Sequence, residues 1–289
     1  MPKSKAELIA YILLRGAVLI VLVAELLTRQ WFNVFLCFLT LLLFMVPTMV
    51  ERRLQLELPG PLEIVILCFI FSSAILGEIA EFYVKIPGWD TMLHTVNGFL
   101  MTAIGFSLID LLNRSPRCHI SLSPFFVAFV AFCFSMTTGV IWEFVEFGID
   151  RTIHLDMQKD YVITALSSVS LNPDGANVPV MIRDIRATTI LWQEGDALRE
   201  TVVAGGYLDI GLADTMKDLL VNCLGAVVFS LIGVAYLHRR GKGSFVRGLI
   251  PRLMTREEMD QRQAKAREIA DIQRQRRKER RRKEESDEK

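Results

Sequence analysis

Apolar residues are concentrated in six long stretches of the chain, separated by short polar segments and one longer insertion. Each stretch runs for about 20 residues, the length that an α-helix needs to cross the hydrocarbon core of a bilayer. Backbone groups in hydrocarbon must form hydrogen bonds within their own segment, and these stretches are too long for barrel strands. We therefore predict helices at residues 8–28, 31–50, 61–83, 91–112, 123–147 and 215–237.

Composition agrees with this pattern, because hydrophobic residues make up 52% of the 289 residues. Four of the five cysteines lie inside apolar stretches and no CxxC motif occurs, so neither disulfides nor a zinc-thiolate site is expected. The predicted fold class is an all-α polytopic membrane helix bundle with a small extracytoplasmic β insertion and a charged cytoplasmic C-terminal tail.

Basic residues in the short connections predict the orientation of the bundle. In an arrangement with six spans, the opposite side keeps Arg29, Lys85 and the long insertion. The other basic residues fall together on one side, at Lys3, Lys5, Arg52, Arg53, Arg114, Arg117, Arg239, Arg240, Lys242 and Arg247. Cytoplasmic loops carry the excess of lysine and arginine. Both termini are therefore predicted to be cytoplasmic.

The longer insertion is predicted to form a small antiparallel β element. Residues 161–171, 180–192 and 201–210 are rich in valine, isoleucine, threonine and aromatics, and turn-forming residues separate them. Three short strands bury a face only against another element, so we expect them to pack over the helix ends as a lid. A loop without a specific role is the alternative.

The predicted organisation has five parts. These are two spans in 1–60, three spans in 61–150, the β-rich insertion 151–213, the last span in 214–240 and the basic tail 241–289. The tail is expected to attract anionic lipid headgroups, at about 1 kcal/mol per basic residue near the surface. Nucleic acid is not expected as a partner, because no aromatic residue interleaves these charges to stack on bases.

Carboxylates at the ends of several spans are the candidate chemistry. A charge at bilayer depth is costly unless it is paired, hydrated or functional. In the predicted orientation these residues all lie on the non-cytoplasmic side. The site candidates are Asp90, His94, Glu143, Glu146, Asp214, Asp218 and Asn222, with Glu78 and Glu81 as secondary candidates.

The spacing of these residues puts pairs of them on one helix face, since residues three or four apart are neighbours on a helix. Asp90 and His94 are four apart, and Glu143 and Glu146 are three apart. Small residues on the same faces predict close approach of the helices. They are Gly98, Gly105, Gly139 and Gly225.

Carboxylates that share one cavity repel each other unless a positive species lies between them, so we predict a cation, a proton or a cationic group in this site. Oxygen-rich ligands favour Mg²⁺, Mn²⁺ or Ca²⁺ over Zn²⁺. The candidate metal ligands are Asp90, His94, Glu143, Glu146 and Asp218. The alternative is that the carboxylates lie among headgroups and pair with Lys85, Arg151 or lipids.

Three sequence blocks resemble the YjdF-like bacterial membrane proteins and, more distantly, the VanZ-like proteins. They run from Gly88 to His94 with Gly98 beyond, from Trp142 to Phe147, and from Asp214 to Gly225. The likeness covers roughly residues 61–237 and leaves out the insertion and the tail. It implies a bacterial cytoplasmic-membrane protein and transfers no reaction.

Three functions fit the sequence. The first is transport or flipping of a small or lipid-linked envelope molecule, in which the acidic cavity binds a cation or a cationic group. The second is a membrane-embedded, metal-dependent hydrolase or transferase acting on a lipid or envelope precursor. The third is a structural or sensory role in which the β insertion binds a partner.

Overall fold

The computed structural model of the chain describes residues 4–54, 56–114 and 122–238, together with 249–250, 252–253, 260 and 264. Among these residues, six helices are long and apolar enough to cross a membrane. They confirm the predicted helical membrane bundle. The predicted basic tail lies almost wholly outside the described residues.

The helices follow the predicted spans with shifted ends. Helix α1 is Lys5–Leu27, and the second span is α2, Trp31–Leu43, followed by α3, Val46–Leu54. The third span is α4, Gly60–Phe71, continued by a π-helix at Ser72–Ile79. A short α5, Phe82–Lys85, precedes α6, Trp89–Arg114, then α7, Pro124–Ile153, and α8, Leu212–His238.

Two compact units divide the chain, and the first comprises residues 1–80, 107–122 and 236–289. In this unit α1 packs against α2 and α4 around Val18, Cys37 and Leu67, which are fully buried. Helix α1 begins at a capping box in which Ser4 and Glu7 satisfy each other's backbone N–H groups. The Tyr11 hydroxyl donates to Oε1 of Glu63 at 2.8 Å and ties α1 to α4.

The second unit comprises residues 81–106 and 123–235 and holds most of α6, α7, the insertion and most of α8. Helix α7 begins at Ser123, whose hydroxyl accepts from the backbone N–H of Phe126, and Pro124 fits its first turn. The buried rings of Phe106 and Phe229 meet edge to face at 6.0 Å between centroids, and Phe99 contacts Phe229 in the same manner at 4.9 Å. These rings form an aromatic layer within the unit.

The insertion contains the predicted antiparallel β structure, but the three expected strands are six. They are β2, Tyr161–Ile163; β3, Leu166–Ser168; β4, Val180–Ile182; β5, Ala187–Glu194; β6, Ala197–Ala204; and β7, Tyr207–Asp209. Outside the insertion, β1, Leu56–Glu57, pairs with β8, Arg252–Leu253. Ladders join β2 to β7, β3 to β4 and β5 to β6. Gly195, with φ of 62°, makes the predicted turn of the β5–β6 hairpin.

The prediction that the strands pack over the helix ends as a lid holds only at the start of the insertion. Residues at the start of the insertion contact α8, whereas β5 and β6 are exposed along most of their length. A two-stranded ladder has too little area to bury a face of its own. The first predicted strand, 161–171, ends early because Val169–Leu171 forms a 3₁₀ turn.

Candidate functional site

His94 is the centre of an acidic cluster formed by three helices of the second unit. Its Nε2 atom lies 3.5 Å from Oδ1 of Asp90 and 3.8 Å from Oδ2 of Asp218. On the other side of the ring, Nδ1 lies 4.0 Å from Oε1 of Glu143. The spacing of four residues places Asp90 and His94 on the same face of α6. Thus α6, α7 and α8 each supply a carboxylate to one imidazole.

Two of the three carboxylates in this cluster are almost completely removed from solvent, whereas the side chain of Asp90 is 23% exposed. The side chain of Asp218 is 1% exposed and that of Glu143 is 5% exposed. Among the described residues, neither oxygen of Glu143 nor Oδ1 of Asp218 makes a hydrogen bond of ordinary geometry. The side chains of Thr215 and Gln158 face the Glu143 carboxylate as weaker donors. Buried polar groups nearly always have a partner, because an unpaired one costs about 1–3 kcal/mol. The orphaned oxygens therefore point to a positively charged ligand.

Glu146 and Asp214 are buried beside this cluster but already have partners. The indole Nε1–H of Trp142 donates to Oε1 of Glu146 at 2.7 Å, across one turn of α7. The backbone N–H of Lys159 donates to Oδ2 of Asp214 at 2.8 Å. We therefore place these two carboxylates around the site and not at its centre.

Asn222, one helical turn after Asp218 on α8, contacts both α6 and α7. Its Oδ1 accepts from the side-chain amide of Asn97 on α6 at 3.1 Å, and its Nδ2 lies 3.5 Å from the carbonyl oxygen of Ser135 on α7. The Ser135 hydroxyl in turn donates to the carbonyl oxygen of Gly98 at 2.9 Å. The predicted site residue Asn222 thus holds the helices together beneath the cluster.

Glycines allow the helices to approach as closely as predicted. A Cβ atom on Gly98 would overlap the backbone of Asn222, and one on Gly225 would overlap the backbone of Thr95. A Cβ on Gly139 would come within 2.9 Å of Nδ2 of Asn222. Small residues let backbones meet in this way in membrane bundles.

Three contributors to the rim of the site were not predicted. The Lys217 ammonium lies 3.8 Å from Oδ1 of Asp214 and donates to the hydroxyl of Tyr161 at 2.9 Å. The side-chain amide of Gln158 donates to the hydroxyl of Thr215 at 2.6 Å. Lys217 carries a signal in the sequence, since it lies between Asp214 and Asp218, but nothing in the sequence brings Tyr161 or Gln158 to α8.

The two secondary candidates are exposed residues. Glu81 is exposed and forms an ion pair with Lys85 at 2.8 Å, and the Lys85 ammonium holds the pKa of the Glu81 carboxyl below its usual value. Glu78 is exposed on the π-helix in the first unit. The guanidinium of Arg151 lies 5.3 Å from the ring centroid of Phe147. Among the described contacts, Lys85 and Arg151 thus have partners other than the buried carboxylates.

Asp90, His94 and Asp218 fit the requirements of a metal site. One donor atom from each lies within 4.8 Å of the other two, a separation that suits ligands at about 2.0–2.6 Å from a shared ion. Glu143 is placed on the opposite ring nitrogen, where outer-shell carboxylates orient metal-bound histidines. Two carboxylates and one imidazole agree with the preference for Mg²⁺, Mn²⁺ or Ca²⁺ over Zn²⁺.

The fold and this cluster define a polytopic helical membrane protein with a buried acidic site shared by three helices. The family model of predicted membrane proteins named DUF2238 matches residues 9–239, and the chain belongs to this family. The more specific resemblances to the YjdF-like and VanZ-like proteins are not tested by this match and stay predictions.

The chain is also similar to an uncharacterized protein of Thermotoga maritima, with 25% identity over 107 residues. The match covers 37% of this chain and 53% of that protein, so the chain spans about half the length of the curated relative it matches. No solved structure matches the chain.

Proposed function

We propose that Asp90, His94 and Asp218 bind a divalent cation, and that the protein is a membrane-embedded, metal-dependent hydrolase or transferase acting on a lipid or envelope precursor. The observation that carries this proposal is the convergence of one donor atom from each of these three residues within 4.8 Å, where Oδ1 of Asp218 is buried without a hydrogen bond of ordinary geometry among the described residues. Three protein ligands leave coordination positions open, as catalytic metal sites require.

Each residue has a separate role in this proposal. Asp90 and Asp218 supply hard oxygen ligands, and Nε2 of His94 supplies the third. The Glu143 carboxylate lies 4.0 Å from Nδ1 of His94, where its charge would favour a proton on that nitrogen and leave Nε2 free for the ion. A bound divalent ion would supply Lewis-acid chemistry at a phosphoryl or carbonyl oxygen.

The layer beneath the cluster favours a site that opens to one side. Within the second unit, the buried rings of Phe106 and Phe229 follow Asn222 toward the other end of α8. The hydroxyls of Thr102 and Ser230 in this region donate to backbone carbonyl oxygens. An enzyme needs access from one side only, whereas transport needs a continuous path. In the predicted orientation, with both termini cytoplasmic, the site is at the outer face of the membrane.

Transport or flipping of a small or lipid-linked envelope molecule is the second candidate, favoured by the burial of carboxylates within helices that are long enough to span a bilayer. Binding of a partner through the insertion, and of anionic lipid headgroups through the tail, remain predictions.

Mn²⁺ binding to the purified full chain in detergent tests the proposal. We expect one tightly bound ion per chain by electron paramagnetic resonance, and a tenfold or greater loss of affinity in Asp218→Asn. Asp110→Asn, which removes another buried carboxylate of α6, should leave the affinity unchanged. Absence of Mn²⁺ binding to the wild-type chain would sink the cation site.

Vesicles containing the protein and a Mn²⁺-sensitive dye test whether the bound cation itself crosses the membrane. Mn²⁺ that binds but does not enter the vesicles supports the one-sided site. Entry that depends on Asp218 would favour transport instead.

A further inference from the structure

Lys217 places a positive charge at the rim of the acidic site. Its ammonium lies 3.8 Å from Asp214, and it directly precedes Asp218 on α8. The Lys217 side chain is 37% exposed, whereas that of Asp214 is 4% exposed. The ammonium is therefore more accessible to solvent than the carboxylate that it faces.

Tyr161, the first residue of β2, holds this lysine in place. The ammonium donates to the tyrosine hydroxyl at 2.9 Å and lies 5.5 Å from the centroid of the ring. A free lysine side chain has considerable rotamer entropy to lose when it binds a ligand. Fixing the side chain beforehand reduces that loss, which is the usual advantage of a preorganised site.

The lysine at the edge of the site and the residues at its centre thus favour ligand groups of opposite charge. Asp90, His94 and Asp218 suit a cation, whereas the ammonium of Lys217 suits an anion. A molecule that satisfies both has an anionic group with several oxygens, of which one contacts the ion and another contacts the ammonium. Phosphate has this geometry and charge, and Mg²⁺ and Mn²⁺ commonly bind phosphate oxygens.

We propose that Lys217 binds the phosphate group of a phosphate-ester substrate next to the cation held by Asp90, His94 and Asp218. This inference rests on the proposed cation site and names the substrate class for it. The phosphate belongs either to a lipid headgroup or to a soluble ester. Lysine binds phosphate as a point charge, so the charge of residue 217 matters more than its shape.

Phosphate binding to the full chain in nanodiscs tests this assignment. With Mn²⁺ present, inorganic phosphate and glycerol 3-phosphate are titrated into phosphatidylcholine nanodiscs. A second arm compares Mn²⁺ affinity in nanodiscs with and without phosphatidic acid. We expect Lys217→Gln to weaken phosphate binding at least tenfold, or about 1.4 kcal/mol, and to leave Mn²⁺ affinity equal or higher.

Lys159→Gln is the matched control, because Lys159 is similarly exposed at 40% and its ammonium pairs with Asp156. We expect it to bind phosphate as the wild type does. Lys217→Arg keeps the charge and should stay within about threefold of the wild type. Retained Mn²⁺ binding by Lys217→Gln shows that this variant is folded.

The outcomes separate the two proposals. Mn²⁺ binding with phosphate affinity that is equal in the wild type and in Lys217→Gln overturns the role of Lys217 and leaves the cation site standing. Absence of binding to soluble phosphates and to phosphatidic acid also overturns the role of Lys217 and leaves the cation site standing. Absence of Mn²⁺ binding overturns the cation site and this inference with it. An effect confined to phosphatidic acid assigns the headgroup source, and one confined to soluble phosphate assigns the soluble source.

Discussion

Gly98 packs directly against the backbone of Asn222, so closely that a Cβ on the glycine would overlap the carbonyl oxygen of the asparagine. Gly98 is one helical turn from His94, and Asn222 is one turn from Asp218. The closest contact of α6 with α8 therefore lies just beneath the atoms proposed to bind the cation. Gly139, one turn from Glu143, extends the same contact to α7.

Replacement of Gly98 by alanine is expected to move α6 and α8 apart. Because the obstacle is backbone and not a flexible side chain, we expect a loss of stability of about 1–3 kcal/mol, as in other overpacked cores. Mn²⁺ affinity should fall as well, since His94 and Asp218 would separate. Thermal unfolding in detergent and Mn²⁺ titration measure the two effects.

Gly148→Ala is the matched control for this variant, since Gly148 also lies in a helix and a Cβ there would meet nothing within 4 Å. Alanine is favoured over glycine in a helix by about 0.5–1 kcal/mol, so the control should be equal to or more stable than the wild type. Equal stability of Gly98→Ala and Gly148→Ala would contradict the proposed role of the close contact.

Glu143→Gln is expected to have opposite effects on stability and on binding. The amide removes a buried carboxylate, so the metal-free protein should become more stable by about 1–3 kcal/mol. Mn²⁺ affinity should fall about 10–100-fold, as is typical when an outer-shell carboxylate is lost. Thermal unfolding with and without Mn²⁺ measures both effects, and a less stable metal-free variant would argue against an orphaned carboxylate.

Trp142→Phe removes the donor that satisfies Glu146. The ring size is largely kept, but Oε1 of a buried carboxylate loses its hydrogen bond. We expect a loss of about 1–3 kcal/mol in stability, measured by thermal unfolding. Trp192→Phe in the exposed hairpin provides the comparison, and a loss there as large as in Trp142→Phe would refute the explanation.

The stability of the insertion should depend on pH through Asp160. Partial loss of hydration, followed by the charges of Asp156, Asp209 and Asp150, raises the pKa of Asp160. The folded protein therefore keeps this proton to higher pH than the unfolded chain does. The contribution of protonated Asp160 to the free energy of unfolding is complete below the ordinary aspartate pKa of about 3.9. It is lost as the pH rises through the pKa that Asp160 has in the folded protein.

Asp160→Asn should consequently stabilise the protein at pH 7 and not at pH 4. The side chain is exposed, so solvent screening limits the expected gain to a few tenths of a kcal/mol. Differential unfolding measurements at the two pH values would detect it, with Glu200→Gln as the surface control. A gain that is larger at pH 4 would have the wrong sign.

Much of the site could be predicted because helical periodicity converts sequence spacing into position. Asp90 and His94 are four residues apart, and the structure places them on one face of α6. The glycines that were expected to allow close packing do so at Gly98 and Gly225. Local spacing fixes such neighbours before any tertiary contact forms.

Other parts of the site could not be predicted from spacing. Tyr161 and Gln158 reach α8 from more than fifty residues away, and no period in the sequence links them to it. The same limitation applies to Asn97, which meets Asn222 across 125 residues. Strand propensity located the β segments but not where each one breaks, because a 3₁₀ turn interrupts the first of them.

The sequence by itself determined that the chain forms six apolar helices with acidic residues near their ends, because the cost of leaving backbone polar groups unpaired in hydrocarbon permits little else. Only the tertiary structure decided which carboxylates share one imidazole and which have other partners. That choice depends on the rotation and distance of each helix relative to its neighbours. Both are set by contacts such as that of Gly98 with Asn222, between residues far apart in the chain.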